Sequence, residues 1–365
     1  WSEHAGERAG IPLPPPIVKN RTKNGDAVPN WVLYASGMAW ALGQAGHGCT
    51  GARLAVCSSL PVGAGVSSSA AFEIAVGTAL AVAAPAIVAS TTAAPASAAT
   101  ATAGPASAAP ATDASATDAP ATIPGTHFDP REMALLAHKS DHEFVGIPSG
   151  IMDQFASACC RQDHALFLDC RDTSFEHVPL GTETAFVVIG TGKRRELVTG
   201  EYAERVASCR RAVDVLKTAF PEITSLRDSS RSQLEDVKYL LDGRTYRRAR
   251  HVVSEMARPS HMVAAFADRD WQRAGQLMYE SHESLAADYD VSCAELDTAV
   301  EIASKHTDCY GARLTGAGFG GCAIALCARP AVDDVAVHIE ERYRREFGKG
   351  KAYGVRASSG VRVVL

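Results

Sequence analysis

The sequence lacks the features that mark several large classes of protein. Its 36 basic residues are fewer than its 41 acidic ones, and no basic stripe stands out that would hold a nucleic acid or an anionic membrane. No run of eighteen strongly apolar residues occurs, and charged residues stand near the beginning, where a secretory leader would be apolar. The ten cysteines form no C-x-x-C pair, so we expect reduced thiols and no cysteine-bound metal. The sequence predicts a cytoplasmic protein without nucleic-acid or membrane partners, and it does not indicate an oligomeric state.

One long segment also lacks bulky and charged side chains. Residues 81–126 consist mainly of alanine, threonine, serine and proline, and Asp113 and Asp118 are the only charges. Alanine favours helix, but the recurring prolines interrupt each helical turn and there is little apolar surface to bury. We predict a disordered insertion. A proline-rich docking arm is the alternative, but the segment has no P-x-x-P cluster with basic neighbours.

Helix-like and strand-like patterns alternate along the rest of the chain, which predicts the α+β class with room for two domains. Helices are predicted at 31–42, after the serines at 67–69, from Asp129-Pro130 towards residue 144, around residue 153, at 201–216, through most of 233–304 and at 332–347. Strands are predicted at 52–60, 165–168, 185–189, 312–315, 322–326 and 361–365.

The strongest local signal is the segment 60–71, LPVGAGVSSSAA, between a predicted strand and a predicted helix. Gly63 and Gly65 allow the backbone to approach a ligand, and the serines bring N–H groups, hydroxyls and a helix N-terminus to the place of an anion. Three successive serines favour phosphate binding over a plain glycine-rich turn with serine caps. The acidic residue of a Rossmann fingerprint and the Gly-Lys-Ser/Thr of a Walker loop are absent.

Two further loops carry candidate chemistry. Residues 146–155 place Asp153 in the first turn of a helix, where a carboxylate either interacts with the helix dipole or accepts a proton from an attacking hydroxyl. Residues 314–322 contain four glycines that permit close approach to a ligand or to another backbone. A hairpin turn with a bulge is the alternative for this third loop.

In this order the three loops resemble the GHMP kinases, the family named after galactokinase, homoserine kinase, mevalonate kinase and phosphomevalonate kinase. The segments 150–155 (GIMDQF), 164–170 (HALFLDC), Glu201-Tyr202 and 291–297 are similar to the galactokinase branch. The resemblance covers the chain from about residue 28 to the end, apart from the insertion. It implies a two-lobed fold with the active site between the lobes, and the ATP- and Mg²⁺-dependent phosphorylation of the anomeric hydroxyl of galactose.

The resemblance also implies roles for individual residues. Asp153 would take the proton from the anomeric hydroxyl, and Gly150 and Tyr202 would contact the sugar. Ser69 and Asp141 would be the metal ligands, and the third loop would brace the nucleotide loop. The ATP phosphates would be wrapped by seven residues: Gly63, Ala64, Gly65, Val66, Ser67, Ser68 and Ser69.

The sequence departs from the family pattern in two places. The second metal ligand is usually a glutamate, and Asp141 stands there with a shorter side chain. The opening motif of the family, an arginine followed by Glu-His-x-Asp, is absent, because Glu3-His4 lacks both the arginine and the aspartate. We therefore expect a fragment or a late start, with an incomplete N-terminal lobe, weak or no activity and poor solubility.

The resemblance divides the chain into four parts. Residues 1–80 are predicted to be the partial N-terminal lobe with the phosphate loop, 81–126 the insertion, 127–190 the rest of that lobe with Asp153, and 191–365 the C-terminal lobe. Two other functions stay open: a kinase for N-acetylgalactosamine or another sugar, and a catalytically silent regulator that senses galactose and ATP. Asp153 and the serine run are retained, so nothing specific favours the regulator.

Overall fold

The computed structural model describes residues 29–47, 52–58, 66–83, 128–147, 149–193 and 199–363. Within these ranges the helices are α1 (Asn30–Gln44), α2 (Ser68–Ala83), α3 (Pro130–Lys139), α4 (Met152–Cys159), α5 (Thr199–Ala219), α6 (Arg231–Asp236), α7 (Gly243–Glu255), α8 (Arg258–Ala267), α9 (Trp271–Ala287), α10 (Ala294–Ser304) and α11 (Val332–Phe347). The strands are β1 (His164–Leu168), β2 (Phe175–Pro179), β3 (Thr184–Gly190), β4 (Cys309–Thr315), β5 (Cys322–Ala328) and β6 (Lys351–Val355). No helix in these ranges has both the length and the apolar character that crossing a membrane requires.

Helices α1 to α4 pack around one apolar core on the N-terminal side of the molecule. Met38, Ile74, Met133 and Phe155 come from the four different helices and are all inaccessible or nearly so. The antiparallel hairpin of β1 and β2 covers this core on one side, where Phe175 packs edge-on against Phe155. The burial of large apolar side chains from every element is what holds these helices together.

Helix α3 continues directly into a π-helix. Asp129 caps α3 by accepting a hydrogen bond from the Arg131 N–H at 2.9 Å, and Pro130 occupies the first helical position. Ser140–Val145 then form the π-helix, which ends at Gly146 in the left-handed conformation (φ 88°). Its wider turn changes the direction in which side chains point, and Asp141 is buried while Glu143 is exposed.

The C-terminal side contains an antiparallel sheet with strand order β4-β5-β3-β6. Helices α10 and α11 cover one face of the sheet, and α8 and α9 cover the other. The alternation along β3 fits this arrangement, since Val187 and Ile189 face α10 and α11 while Phe186 faces α8 and α9. Helix α9 crosses β4 at Gly275 and Gly311, where a Cβ on Gly275 would lie 1.8 Å from the Tyr310 carbonyl oxygen.

The α+β class and most of the predicted elements are confirmed, and several predictions are wrong. Residues 52–58 form no strand and are exposed, because no neighbouring strand in the described residues offers hydrogen-bond partners. Residues 81–83 belong to α2 rather than to the insertion, since Ala81 still packs on the N-terminal core. The last strand is β6, not 361–365, of which the described residues 361–363 are irregular. Strand β2 was not predicted.

Two predictions about domain division are not decided by these elements. Residues 84–127, which contain nearly all of the predicted disordered insertion, lie outside the described residues, as do residues 1–28. The boundary predicted at residues 190 and 191 falls just after β3, and β3 lies between β5 and β6 in the C-terminal sheet.

Candidate active site

The serine run that was predicted to bind phosphate opens helix α2. Ser67 precedes the helix with a positive φ of 57°, and its carbonyl accepts the Ala71 N–H at 3.1 Å. Ser69 lies in the first turn and is exposed, while Val66, Ser67 and Ser68 are half-buried. Unpaired N–H groups at a helix start attract anions, so this end of α2 suits a phosphate group. Gly63, Ala64 and Gly65 lie outside the described residues.

Asp141 is held in place by two hydrogen bonds and is 4% exposed. Its Oδ2 accepts a hydrogen bond from Gln154 Nε2 at 2.7 Å and another from Ser149 Oγ at 3.0 Å. Its Oδ1 is buried without a hydrogen-bond partner. Burial raises the pKa of Asp141, and the two hydrogen bonds partly oppose that rise. A buried carboxylate oxygen without a partner is a position that a cation would satisfy.

A second buried carboxyl group, Glu73, lies beside Asp141. It accepts a hydrogen bond from Ser140 Oγ at 2.9 Å, and its other oxygen has no partner. Burial, followed by the charge of Asp141, raises the pKa of Glu73 to about 9, so Glu73 is protonated at neutral pH. Ser69 lies four residues before Glu73 and therefore on the same face of α2. The contact between Glu73 and Ser140 thus turns the Ser69 face of α2 towards the Asp141 segment.

Asp153, the predicted base, lies in the first turn of α4 and is half-buried. The neighbouring Gln154 is bound to Asp141, and the charge of Asp153 contributes to the raised pKa of Asp141. The two aspartates are therefore close enough to interact electrostatically. Gly150 is exposed three residues before Asp153, and a Cβ added to it would meet no atom within 4 Å. Asp153 is therefore partly accessible to solvent, and the backbone at Gly150 has free space beside it.

The third glycine-rich loop joins β4 to β5 and is braced from the C-terminal side. Gly318 has a positive φ of 81°, and a Cβ there would lie 2.1 Å from the Val291 carbonyl oxygen. The Gly321 carbonyl accepts hydrogen bonds from the N–H and the hydroxyl of Thr191. The predicted contact between the third loop and the nucleotide loop stays a prediction, because Gly63, Ala64 and Gly65 lie outside the described residues. Tyr202 lies in α5, and its side chain is also outside them.

The structure therefore brings some of the predicted site residues together and adds others. Ser69, Asp141 and Asp153 come from α2, the π-helix and α4, and these three elements adjoin one another. Sequence reasoning missed Glu73, Ser149 and Gln154, although the first lies one turn after the serine run and the other two lie within the GIPSGIMDQF segment. The spacing of His138 and His142 on one helix was also missed. The described residues hold no cluster of three or more His, Cys, Asp or Glu side chains suited to a metal ion.

Comparison with known proteins agrees with this arrangement. Residues 262–345 match the family model described as GHMP kinases C terminal. The chain is 36% identical over 336 residues to a galactokinase of Roseiflexus sp. (strain RS-1), covering 92% of this chain and 76% of the relative. It is 32% identical over 364 residues to the galactokinase of Homo sapiens, covering 80% of that protein.

A solved structure shows the same fold. The crystal structure of Lactococcus lactis galactokinase complexed with galactose superposes with a TM-score of 0.73 at 29% identity, covering 93% of this chain and 78% of that one. On this fold, a helix start suited to a phosphate group, an aspartate held by two hydrogen bonds and a glycine-rich loop agree with an ATP-using GHMP kinase, the class that the comparisons show. Within that class the chain belongs to the galactokinase family, whose members are sugar kinases.

Proposed function

We propose that this chain transfers the γ-phosphoryl group of ATP to the anomeric hydroxyl of galactose, giving galactose 1-phosphate, with Asp153 as the base. The observation that carries the proposal is the position of Asp153. Asp153 is half-buried in the first turn of α4, next to the Gln154 that is bound to Asp141 and close enough to Asp141 for their charges to interact. A half-buried carboxylate is accessible to an acceptor hydroxyl and could accept its proton.

In this reaction Asp153 accepts the proton of the anomeric hydroxyl as its oxygen attacks the γ-phosphorus. The proton ends on the Asp153 carboxyl group, and the bond between the γ-phosphorus and the bridging oxygen of ADP breaks. Phosphoryl transfer depends mainly on positioning and on neutralising charge. Residues Gly63 to Ser69 would supply N–H groups to the phosphates, while Gly150 and Tyr202 would orient the sugar.

Ser69 and Asp141 fit a magnesium ion. The buried and unpartnered Oδ1 of Asp141 is a hard oxygen donor, and the exposed hydroxyl of Ser69 is presented by the facing helix. Bound there, Mg²⁺ would neutralise charge on the ATP phosphates. Ser149 and Gln154 hold the Asp141 carboxylate in one orientation, which would keep Oδ1 positioned for the ion. A cytoplasmic location, where ATP is plentiful, belongs to the same proposal.

The Asp153→Asn variant tests the base. An amide cannot accept the proton, so we expect turnover of galactose and ATP in a coupled assay to be lost by about a hundredfold or more. Affinity for ATP, measured by isothermal titration calorimetry, should stay nearly unchanged. Asp163→Asn, in the turn before β1, is the matched control and should keep full turnover. Retained activity in Asp153→Asn would remove Asp153 from this role.

The sugar is tested separately with the unaltered chain. Galactose should be phosphorylated in preference to N-acetylgalactosamine and glucose at matched concentrations. Faster turnover of N-acetylgalactosamine would mean that this sugar, and not galactose, is the substrate. Tight binding of galactose and ATP together without any product would identify the regulator instead.

A further inference from the structure

Two histidines on the helix that carries Asp141 take no part in the proposed chemistry. His138 lies at the end of α3, and His142 lies four residues later in the π-helix. Their ring centroids are 4.3 Å apart and the ring planes are inclined at 42°. His142 is exposed and His138 is half-buried, so solvent reaches the pair from the side of His142.

In both histidines Nε2 points at the carbonyl oxygen of Ser149. The carbonyl oxygen of Ser149 lies 2.6 Å from Nε2 of His142 and 3.3 Å from Nε2 of His138. Two donor atoms bound side by side to one transition-metal ion, at about 2.1 Å each, lie about 3 Å apart. The carbonyl oxygen therefore already lies, from each of the two nitrogens, at about the separation of two ligands bound to one ion.

We propose that His138, His142 and the Ser149 carbonyl form a binding site for one divalent transition-metal ion of the Ni²⁺ and Zn²⁺ class. Two histidines four residues apart on one helix face are a recurrent chelating pair. Imidazole suits Ni²⁺ and Zn²⁺, whereas Mg²⁺ prefers oxygen ligands, so this site differs in ligands from the Ser69 and Asp141 site. The third donor is a backbone carbonyl, since the described residues hold no cluster of three or more His, Cys, Asp or Glu side chains suited to a metal ion.

The protonation states suit metal binding. Burial and the adjacent His142 lower the pKa of His138, so the His138 ring is neutral at physiological pH. In the bound form each ring carries its proton on Nδ1 rather than Nε2, which frees the Nε2 lone pair for the ion. A bound ion would tie Ser149 to the helix more firmly than two N–H groups do, and the Ser149 hydroxyl is in turn bound to Asp141.

Titration of the untagged chain with Ni²⁺ in a buffer that does not chelate metals tests the site. We expect one equivalent to bind by calorimetry and the thermal midpoint to rise with Ni²⁺ concentration. His142→Asn changes an exposed side chain and should weaken Ni²⁺ binding by about tenfold or more. His138→Asn should do the same. Bound Co²⁺ should produce two hyperfine-shifted, exchangeable imidazole N–H signals in the NMR spectrum, because both Nδ1 atoms keep their protons.

His164→Asn is the matched control. His164 also lies near a second histidine, with 6.2 Å between its ring centroid and that of His177, but their nitrogens are directed at two different carbonyls, those of Gln162 and Cys159. The Ni²⁺ affinity of the His164→Asn variant should equal that of the unaltered chain. Unchanged affinity in both His138→Asn and His142→Asn would overturn the proposal, as would binding that disappears only when the cysteines are alkylated.

Discussion

Two neighbouring carboxyl groups, Glu73 and Asp141, have different tasks although both are buried. Asp141 receives two hydrogen bonds that stabilise its charged form. Glu73 receives one, from Ser140, and remains protonated because burial disfavours its charged form and the negative charge of Asp141 adds to that effect. One neutral and one charged carboxyl group between α2 and the π-helix leave one negative charge, so a bound divalent cation would keep an excess positive charge for the ATP phosphates.

Glu73→Gln should stabilise the protein, and increasingly so as the pH rises. In the unfolded chain the carboxyl ionises near its ordinary pKa of 4.5, whereas in the folded chain its pKa is about 9. Its contribution to the free energy of unfolding is therefore full below pH 4.5 and is lost progressively between these two values. The amide is neutral throughout and still accepts the Ser140 hydrogen bond.

Thermal unfolding at about pH 5 and about pH 8 measures this difference. The gain in midpoint for Glu73→Gln should be larger at the higher pH. Glu143→Gln, an exposed glutamate of the same segment, should show no comparable change. An equal gain at both pH values would mean that Glu73 is not protonated in the folded protein.

Gln154→Leu should weaken metal binding without unfolding the protein. The variant keeps the side-chain size but removes the hydrogen bond that orients Asp141, a kind of loss that costs about tenfold in metal affinity. Mn²⁺ binding to the complex with a non-hydrolysable ATP analogue, followed by electron paramagnetic resonance, gives the affinity. Gln162→Leu, an exposed glutamine of the turn before β1, is the control. An unchanged Mn²⁺ affinity would show that Ser149 alone orients Asp141.

The chemistry-bearing residues could be predicted from the sequence better than their partners. Asp153 and Asp141 stand in recognisable segments, and the structure places both at the meeting point of α2, the π-helix and α4. Ser149 and Gln154 contact Asp141 from eight and thirteen residues away. Such contacts depend on the π-helix and the following turn, which have no distinctive sequence pattern.

At the scale of elements, the helices were predicted well from the sequence, whereas some strands were not. The limits of α11, Val332–Phe347, agree with the predicted 332–347, because its apolar stripe repeats every three or four residues. An apolar run such as 52–58 predicts a strand only if another strand pairs with it, and pairing is not visible in one segment of sequence. Strand β2 is short and half polar, so its alternation was too weak to detect.

The crossing of α9 over β4 leads to a prediction at this scale. Gly275→Ala would place a Cβ 1.8 Å from a backbone oxygen, which forces the helix away from the sheet, and we expect a loss of about 3 kcal/mol in the free energy of unfolding. Gly43→Ala in α1 is the control, because its Cβ would meet nothing within 4 Å and alanine favours helix. Urea denaturation compares the two variants. A Gly275→Ala variant as stable as the unaltered chain would show that α9 can shift freely.

At the scale of the whole molecule, the exposed segment 52–58 bears on solubility. Leu54 is 37% exposed and Val56 is 46% exposed, and neither contributes to a described apolar core. Replacing both in the Leu54→Glu, Val56→Glu variant should raise the soluble concentration and leave the thermal midpoint unchanged. Leu80→Glu, in the buried core, should unfold the chain. A fall of several degrees in the double variant would mean that residues 52–58 pack against the rest of the protein.

The position of β3 in the sheet determines at which residue a chimera between this chain and a relative can be joined. The matched family segment, residues 262–345, contains β4 and β5 but neither β3 nor β6. Since β3 lies between β5 and β6, a chimera joined at residue 262 would combine a middle strand from one parent with flanking strands from the other. A breakpoint before Thr184 keeps all four strands from one parent. Chimeras of this family should therefore tolerate a junction in the turn between β2 and β3 far better than one at the edge of the matched family segment.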